Sequence, residues 1–138
     1  ALTLEPVIRN GRRVGLYDFD PCMVLLNNDL SAGPPAVLEK IVLPAALFAG
    51  FERFERHDTL PNALYALYQR EYGLNIVSAQ EELRADAARK DDCRRLRLAL
   101  GAPLLHIDRV AISLEGTRVE WRASRCDTSH FVYAVTLS

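Results

Sequence analysis

The sequence lacks any segment suited to a membrane. No apolar run approaches the roughly eighteen residues that a spanning helix needs. No basic segment precedes an apolar one near the amino terminus, as a secretory signal requires. These absences argue against a membrane partner, and we expect a cytoplasmic protein.

An excess of charge of one sign is missing as well. The chain has 17 Lys and Arg against 18 Asp and Glu, which gives a formal net charge of −1 at pH 7. Domains that bind DNA or RNA carry a basic surplus that neutralises phosphates. We therefore expect that this chain alone does not bind nucleic acid tightly.

Cysteine is scarce, and no metal-binding or catalytic motif is present. Cys22, Cys93 and Cys126 are widely spaced, without a CxxC pair or a histidine placed to complete a zinc site. The sequence has no P-loop, no GxGxxG and no evident pairing of a nucleophile with a histidine base. We predict reduced thiols, no metal, no cofactor and no catalytic residue.

The composition that remains is that of an ordinary globular domain. Hydrophobic residues make up 49% of the 138 positions and charged residues 25%, which is typical of a soluble fold with one core. We predict a single domain over residues 1–138. Because the chain begins at Ala1 and not at methionine, we expect it to be part of a longer protein.

The first half predicts two hairpins and a helix. Asn10-Gly11 indicates a hairpin within the first twenty residues, and residues 22–44 indicate a longer one around a loop at 31–35. Apolar residues at helical spacing predict a helix over 59–72 that ends at Gly73. The possible N-caps of this helix are Asp58, Thr59 and Asn62. Before the helix we expect an apolar patch formed by Phe48, Phe51 and Phe54.

The second half predicts more strands than helices. A strand over 74–85 is followed by a charged helix over 87–97 with Asp86 as its cap. Alternating strands at 102–113 and 117–124 are joined by a glycine turn, and a last strand covers 130–137. Hairpins without a βαβ rhythm predict an α+β fold, an antiparallel sheet flanked by helices.

Three polar residues share one face of the strand at 117–124. Glu120, Arg122 and Ser124 alternate with apolar neighbours, so their side chains point the same way. Two readings are open: a solvated face with an Arg–Glu pair, which alternation alone favours, or the lining of a pocket. Arg109 poses a similar choice inside an apolar strand, where we favour a structural pairing with the next strand over a pocket role.

The order and spacing of three sequence segments resemble those of the UTRA domain, the effector-binding domain of GntR-type transcription regulators of the HutC branch. The segments are GPPAVLEKIVLP, ALYALYQREYGLNI and LGAPLLHIDRVAISLEGTRVE. The resemblance covers the chain from about Cys22 to its end, and it implies a chorismate-lyase-like fold with a small-molecule pocket on one side. It also implies a homodimer whose winged helix-turn-helix, a domain missing from this chain, binds DNA. A chorismate-lyase-like enzyme and a stand-alone binding protein are the alternatives.

The resemblance also implies ligand-binding positions. It places Glu120 in the effector pocket, with Arg122 and Ser124 beside it, and backbone N–H groups from the helix start at Ala63, Leu64 and Tyr65 near the ligand. Departures from the family pattern fall at Asn27 and Asp29, where phosphosugar sensors carry arginines, and at Cys126, where a tyrosine is frequent. Because Asp29 would repel a phosphate and Asn27 lacks the arginine fork, we predict a polar, non-phosphorylated effector.

Overall fold

A computed structural model describes residues 2–7, 22–27, 37–54, 61–129 and 132–137. Six strands form one sheet in the order β1-β2-β3-β6-β5-β4, and every neighbouring pair is antiparallel. The strands are β1 (Leu2–Val7), β2 (Cys22–Asn27), β3 (Val37–Pro44), β4 (Ile76–Ala87), β5 (Pro103–Ser113) and β6 (Arg118–Cys126). Two helices, α1 (Pro61–Tyr72) and α2 (Lys90–Leu96), complete the predicted α+β fold.

The hairpins and α1 confirm the local sequence patterns. β2 pairs with β3, while the loop predicted at 31–35 lies outside the described residues. β5 turns into β6 at Gly116, whose φ of 84° suits glycine. Helix α1 starts with Pro61 in its first turn and ends at Gly73, where φ is 64° and the N–H donates to the Gln69 carbonyl at 3.0 Å. The predicted caps Asp58 and Thr59 lie outside the described residues, and Asn62 lies inside the helix and is not its cap.

The two helices lie on opposite faces of the sheet, each over its own apolar cluster. On one face, α1 and two short 3-10 turns, Ala45–Leu47 and Phe51–Phe54, pack on β3. The fully buried ring of Phe48 lies edge-on to that of Tyr68, with ring centroids 4.9 Å apart. On the other face, Leu96 of α2 packs with Leu38 and Leu104.

One predicted cap and one predicted strand are wrong. Asp86 does not cap α2, because pairing with β5 keeps β4 extended as far as Ala87. The cap is Arg89, whose backbone N–H donates to Asp92 at 2.8 Å. Residues 132–137 form no strand: they are exposed and have no strand partner in the described chain. The hairpin predicted around Asn10-Gly11 lies outside the described residues, and β1 pairs with β2.

Candidate functional site

The three polar residues of β6 do share a face, and that face is not solvated. Glu120, Arg122 and Ser124 are 0%, 4% and 8% exposed beneath α1. Trp121 and Arg125 point to the opposite face, beside α2. The reading of a wet outer face is therefore wrong for this strand, although its Arg–Glu pair exists.

Glu120 is the buried partner of one arginine and one tyrosine. Arg122 donates from Nε to Oε1 and from Nη2 to Oε2, both at 2.9 Å, which is the bidentate fork of a strong pair. The Tyr68 hydroxyl donates to Oε2 at 2.6 Å. The side chain of Glu120 has no exposed surface and is not among the residues that line the groove described next, which it contacts through Arg122.

The environment holds each partner of Glu120 in one protonation state. Burial alone would lower the pKa of Arg122, but the charge of Glu120 and the hydrogen bonds to it outweigh burial and raise that pKa. Burial, together with Glu120, raises the pKa of Tyr68 well above its ordinary value. Arg122 is thus a permanent cation and Tyr68 a neutral donor.

A cavity of about 240 Å³, here called the α1-side groove, opens between α1 and the sheet. Four predicted ligand-binding residues line it: Tyr65, Arg122, Ser124 and Cys126. The remaining lining residues come from β3, β4, β5 and the segment after β6, and they are Val37, Glu39, Glu81, Ile107, Arg109 and Tyr133. The groove is thus polar, with two guanidinium groups and two carboxylates.

Tyr65 lies beside both arginines of the α1-side groove. The guanidinium carbons of Arg109 and Arg122 are each 5.4 Å from the Tyr65 ring centroid, within cation–π range. Burial, and after it the charge of Glu120, raises the pKa of Tyr65, so its hydroxyl stays a donor. That hydroxyl and Nε of Arg109 are buried and have no hydrogen-bond partner in the described chain.

Arg109 is the residue whose role the sequence reasoning misjudged. The expected structural pairing with the next strand is not seen: no ion pair or hydrogen bond joins the side chain of Arg109 to a described residue, although its Cα faces Glu81 of β4. It lies instead in the groove. The sequence offered one signal, a charge within an apolar strand, whereas the position opposite Arg122 follows from the pairing of β5 with β6.

The other predicted positions are placed differently. The side chain of Leu64 is 1% exposed and belongs to the apolar core, not to the groove lining. Ala63 lies in the first turn of α1. Asn27 ends β2 at the register position opposite Glu39, which is itself opposite Ser124. Asp29 lies outside the described residues.

Cys126 lines the groove as a neutral thiol. Burial and, after it, Glu39 raise the pKa of Cys126 to about 11. A protonated thiol is a poor nucleophile, so this residue contributes shape and weak polarity to the groove.

The opposite face of the sheet carries a larger cavity, the α2-side groove, of about 490 Å³. Several of its charged residues are already paired: Asp108 accepts from Trp121 at 3.1 Å and from Arg84 at 3.2 Å. Arg125 binds Asp92 at 2.7 Å and lies 3.1 Å from Nδ1 of His106. Because an arginine can only donate, Nδ1 accepts, and Nε2 of His106 carries the proton toward Asp108.

Neither a metal site nor a membrane span is found in the part of the chain that the structure describes. No three His, Cys, Asp or Glu side chains there are grouped to hold a metal ion. No described helix is long and apolar enough to cross a membrane.

The known proteins to which this chain is similar include transcription regulators or domains of them. The chain is 27% identical over 103 residues to the HTH-type transcriptional regulator Rv0792c of Mycobacterium tuberculosis, covering 75% of this chain and 38% of that protein. The chain thus spans well under half the length of this curated relative.

Two solved structures share the fold. The ligand-binding domain of a regulator assigned to the GntR family from Bordetella bronchiseptica is 28% identical, with a TM-score of 0.76 over 85% of this chain and 74% of that one. The effector domain of PhnF from Mycobacterium smegmatis is 18% identical, with a TM-score of 0.78 over 100% of this chain and 83% of that one. The family model of the UTRA domain matches residues 14–132, and the chain therefore belongs to the UTRA domain family.

Proposed function

We propose that this chain is the effector-binding domain of a GntR-type transcription regulator of the HutC branch. The observation that carries the proposal is the α1-side groove: two of its lining residues, Tyr65 and Arg109, carry buried donors without a partner in the described chain, next to the Arg122–Glu120 ion pair. Buried donors without partners favour the binding of a small molecule, because a ligand that accepts hydrogen bonds from them offsets the free energy that their desolvation costs.

The effector in this proposal is a small, polar, non-phosphorylated metabolite. Glu39 and Glu81 line the groove, and the charge of Arg122 is already matched by Glu120. A phosphate dianion would meet two carboxylates and one unmatched guanidinium, which is poor electrostatic complementarity. Asn27 and Asp29, at positions where phosphosugar sensors resemble one another in carrying arginines, support the same conclusion.

Effector binding in this proposal changes DNA binding by an N-terminal winged helix-turn-helix elsewhere in the full-length protein. Such coupling is a free-energy linkage between two sites and acts in both directions. The regulator would work in the cytoplasm as a homodimer. The edge strand β4 supports a dimer, because it is 12 residues long and pairs on one side only within the described sheet.

A thermal-shift screen tests the proposed function. The panel contains sugars, sugar phosphates, amino acids and hydroxy acids, and a chorismate turnover assay runs beside it. We expect a non-phosphorylated polar compound to raise the melting temperature while chorismate is not consumed. Chorismate consumption with no other stabilising compound would favour the lyase alternative.

A matched pair of serine variants locates the binding event. Ser124→Ala removes a hydroxyl from the groove and should weaken the thermal shift. Ser78→Ala removes an exposed hydroxyl from β4, away from the groove, and should leave the shift unchanged. Equal shifts for both variants would place the ligand elsewhere.

A further inference from the structure

The two unpartnered atoms of the α1-side groove are both hydrogen-bond donors. They are the hydroxyl of Tyr65, which burial keeps protonated, and the Nε–H of Arg109. Buried polar atoms in proteins are nearly always satisfied, so each exception calls for a partner. The Nε–H of Arg109 can only donate, so its missing partner must accept a hydrogen bond, and the Tyr65 hydroxyl can donate to the same acceptor.

The charge at this point is also unmatched. Arg122 has its counter-ion in Glu120, whereas Arg109 forms no ion pair with a described residue. The guanidinium of Arg109 lies 5.4 Å from the ring centroid of Tyr65, so charge and hydroxyl belong to one small region of the groove. An acceptor that carries one negative charge would accept hydrogen bonds from both donors and would also balance the charge of Arg109.

We infer that the effector carries a carboxylate, and that this carboxylate accepts hydrogen bonds from Arg109 Nε and the Tyr65 hydroxyl. The inference rests on the proposed function, since it names the chemical class bound at the same groove. A carboxylate offers two oxygens and a single charge, which matches one free guanidinium.

The carboxylates that line the groove narrow the chemical class of the effector further. Glu39 and Glu81 present acceptors to the cavity, and Glu81 holds the Tyr133 hydroxyl at 2.8 Å. A ligand that fits them carries donors, either hydroxyl or ammonium groups, besides its carboxylate. With a cavity of about 240 Å³ the ligand is small. The class is therefore the small hydroxy acids and amino acids.

Calorimetric titration of the chain with matched compounds tests this assignment. Each hydroxy acid or amino acid is compared with its primary amide, which keeps the size of the carboxylate and loses its charge, and with its methyl ester, which loses the charge and adds a methyl group. We expect the acids to bind, and the neutral partners to bind at least roughly tenfold more weakly, because a charge-assisted hydrogen bond is lost.

Two variants separate recognition from a structural effect. Tyr65→Phe removes one oxygen and Arg109→Gln removes the charge, and each should reduce the preference for acid over ester. A merely structural role would weaken acid and ester alike. Tyr72→Phe on the same helix and Arg118→Gln at an exposed position serve as controls and should leave the preference unchanged. If Arg109→Gln does not fold, Tyr65→Phe decides alone.

The outcomes distinguish this inference from the proposed function. If acid and ester bind with equal affinity, and Ser124→Ala still weakens their binding, the inference of a carboxylate is overturned and the sensor proposal stands. A sugar that binds with Tyr65→Phe and Arg109→Gln unaffected would do the same, whereas a sugar phosphate that binds in this way would also overturn the non-phosphorylated effector. Failure of every compound class to stabilise the chain would overturn both.

Discussion

At the scale of single residues, Glu120 acts on the groove through its neighbour. Its carboxylate is fully buried and accepts three hydrogen bonds, two from Arg122 and one from Tyr68. Arg122 in turn lines the groove and lies beside the Tyr65 ring. Glu120 therefore fixes the orientation of a groove cation and does not itself reach the cavity.

Removing the charge of Glu120 should destabilise the fold strongly. Glu120→Gln keeps the volume but leaves Arg122 as a buried cation without a counter-ion, and we expect a loss of about 3–5 kcal/mol in the free energy of unfolding. Urea denaturation measures this loss. Glu115→Gln, in the exposed β5–β6 turn, is the control and should stay within about 0.5 kcal/mol of the parent. Equal stability of the two variants would contradict the buried pair.

Tyr68 should contribute through its hydroxyl as well as its ring. Tyr68→Phe keeps the packing on Phe48 but removes a buried donor to Glu120, and we expect a loss of about 1–3 kcal/mol in unfolding free energy. Tyr72→Phe removes a more exposed hydroxyl from the Ala49 carbonyl and should cost less. The prediction fails if the order of the two variants is reversed in guanidinium denaturation.

Cys126 should react slowly with alkylating agents in the folded chain. With a pKa of about 11, on the order of one thiol in a thousand is ionised at pH 8, against about a quarter for an unperturbed cysteine. Iodoacetamide labelling followed by peptide mass spectrometry should show a rate that rises with pH and increases sharply on unfolding. Equal labelling of folded and unfolded protein at pH 8 would refute the shift.

At the scale of elements, local patterns predicted α1 and the β2–β3 and β5–β6 hairpins, whereas contacts distant in sequence decided the start of α2 and the fate of residues 132–137. The helical period of apolar residues and the glycine that ends the helix are both features of the local sequence of α1. The start of α2 cannot be predicted locally, because Asp86 stays in β4 through pairing with Leu104. Likewise, the alternation in 132–137 predicts a strand, but an extended segment becomes one only where a neighbour offers a ladder.

The candidate site depends on register in the same way. Alternation in β6 grouped Glu120, Arg122 and Ser124, and the family resemblance pointed to a pocket. Arg109 joins them only because β5 pairs with β6 so that Arg109 lies opposite Arg122. A shift by one residue would send it to the other face. No single-strand pattern carries that information.

Helix α2 should depend on an ionic anchor that weakens in acid. Burial acts to raise the pKa of Asp92, but hydrogen bonds from Arg125 and from the Arg89 amide outweigh it, and the pKa lies below its ordinary value. The pKa of Asp86 is lowered by the Ala87 amide and by Arg125. A carboxylate with a depressed folded pKa stabilises the fold above its unfolded pKa of about 3.9, and this contribution is lost as pH falls through the folded pKa.

Arg125→Gln tests the anchor. It should lower the free energy of unfolding at pH 7 by about 1.5–3 kcal/mol and flatten the loss of stability below about pH 4, because the shifted carboxylates lose their partner. Arg94→Gln, which breaks an exposed pair with Asp91 within α2, should cost at most about 0.5 kcal/mol. An unchanged acid profile in Arg125→Gln would remove Arg125 as the cause of the lowered pKa values.

At the scale of the whole molecule, the two grooves lie back to back on the same strands. Side chains of β3, β4, β5 and β6 alternate between the α1-side groove and the α2-side groove, so a ligand on one face orders strands that carry the other. Trp121, the one tryptophan of the chain, is 9% exposed on the α2 side, while its neighbours Glu120 and Arg122 serve the α1 side.

Ligand binding in the α1-side groove should therefore stabilise both faces together. At a ligand concentration about 100 times Kd, the free energy of unfolding should rise by about 2.7 kcal/mol. Because the described strands form one sheet, the rise should be equal whether unfolding is followed by Trp121 fluorescence or by far-UV circular dichroism. A dichroism transition that moves while the tryptophan transition stays would mean that the α2 side unfolds as a separate unit, and that effector binding is not transmitted through the sheet.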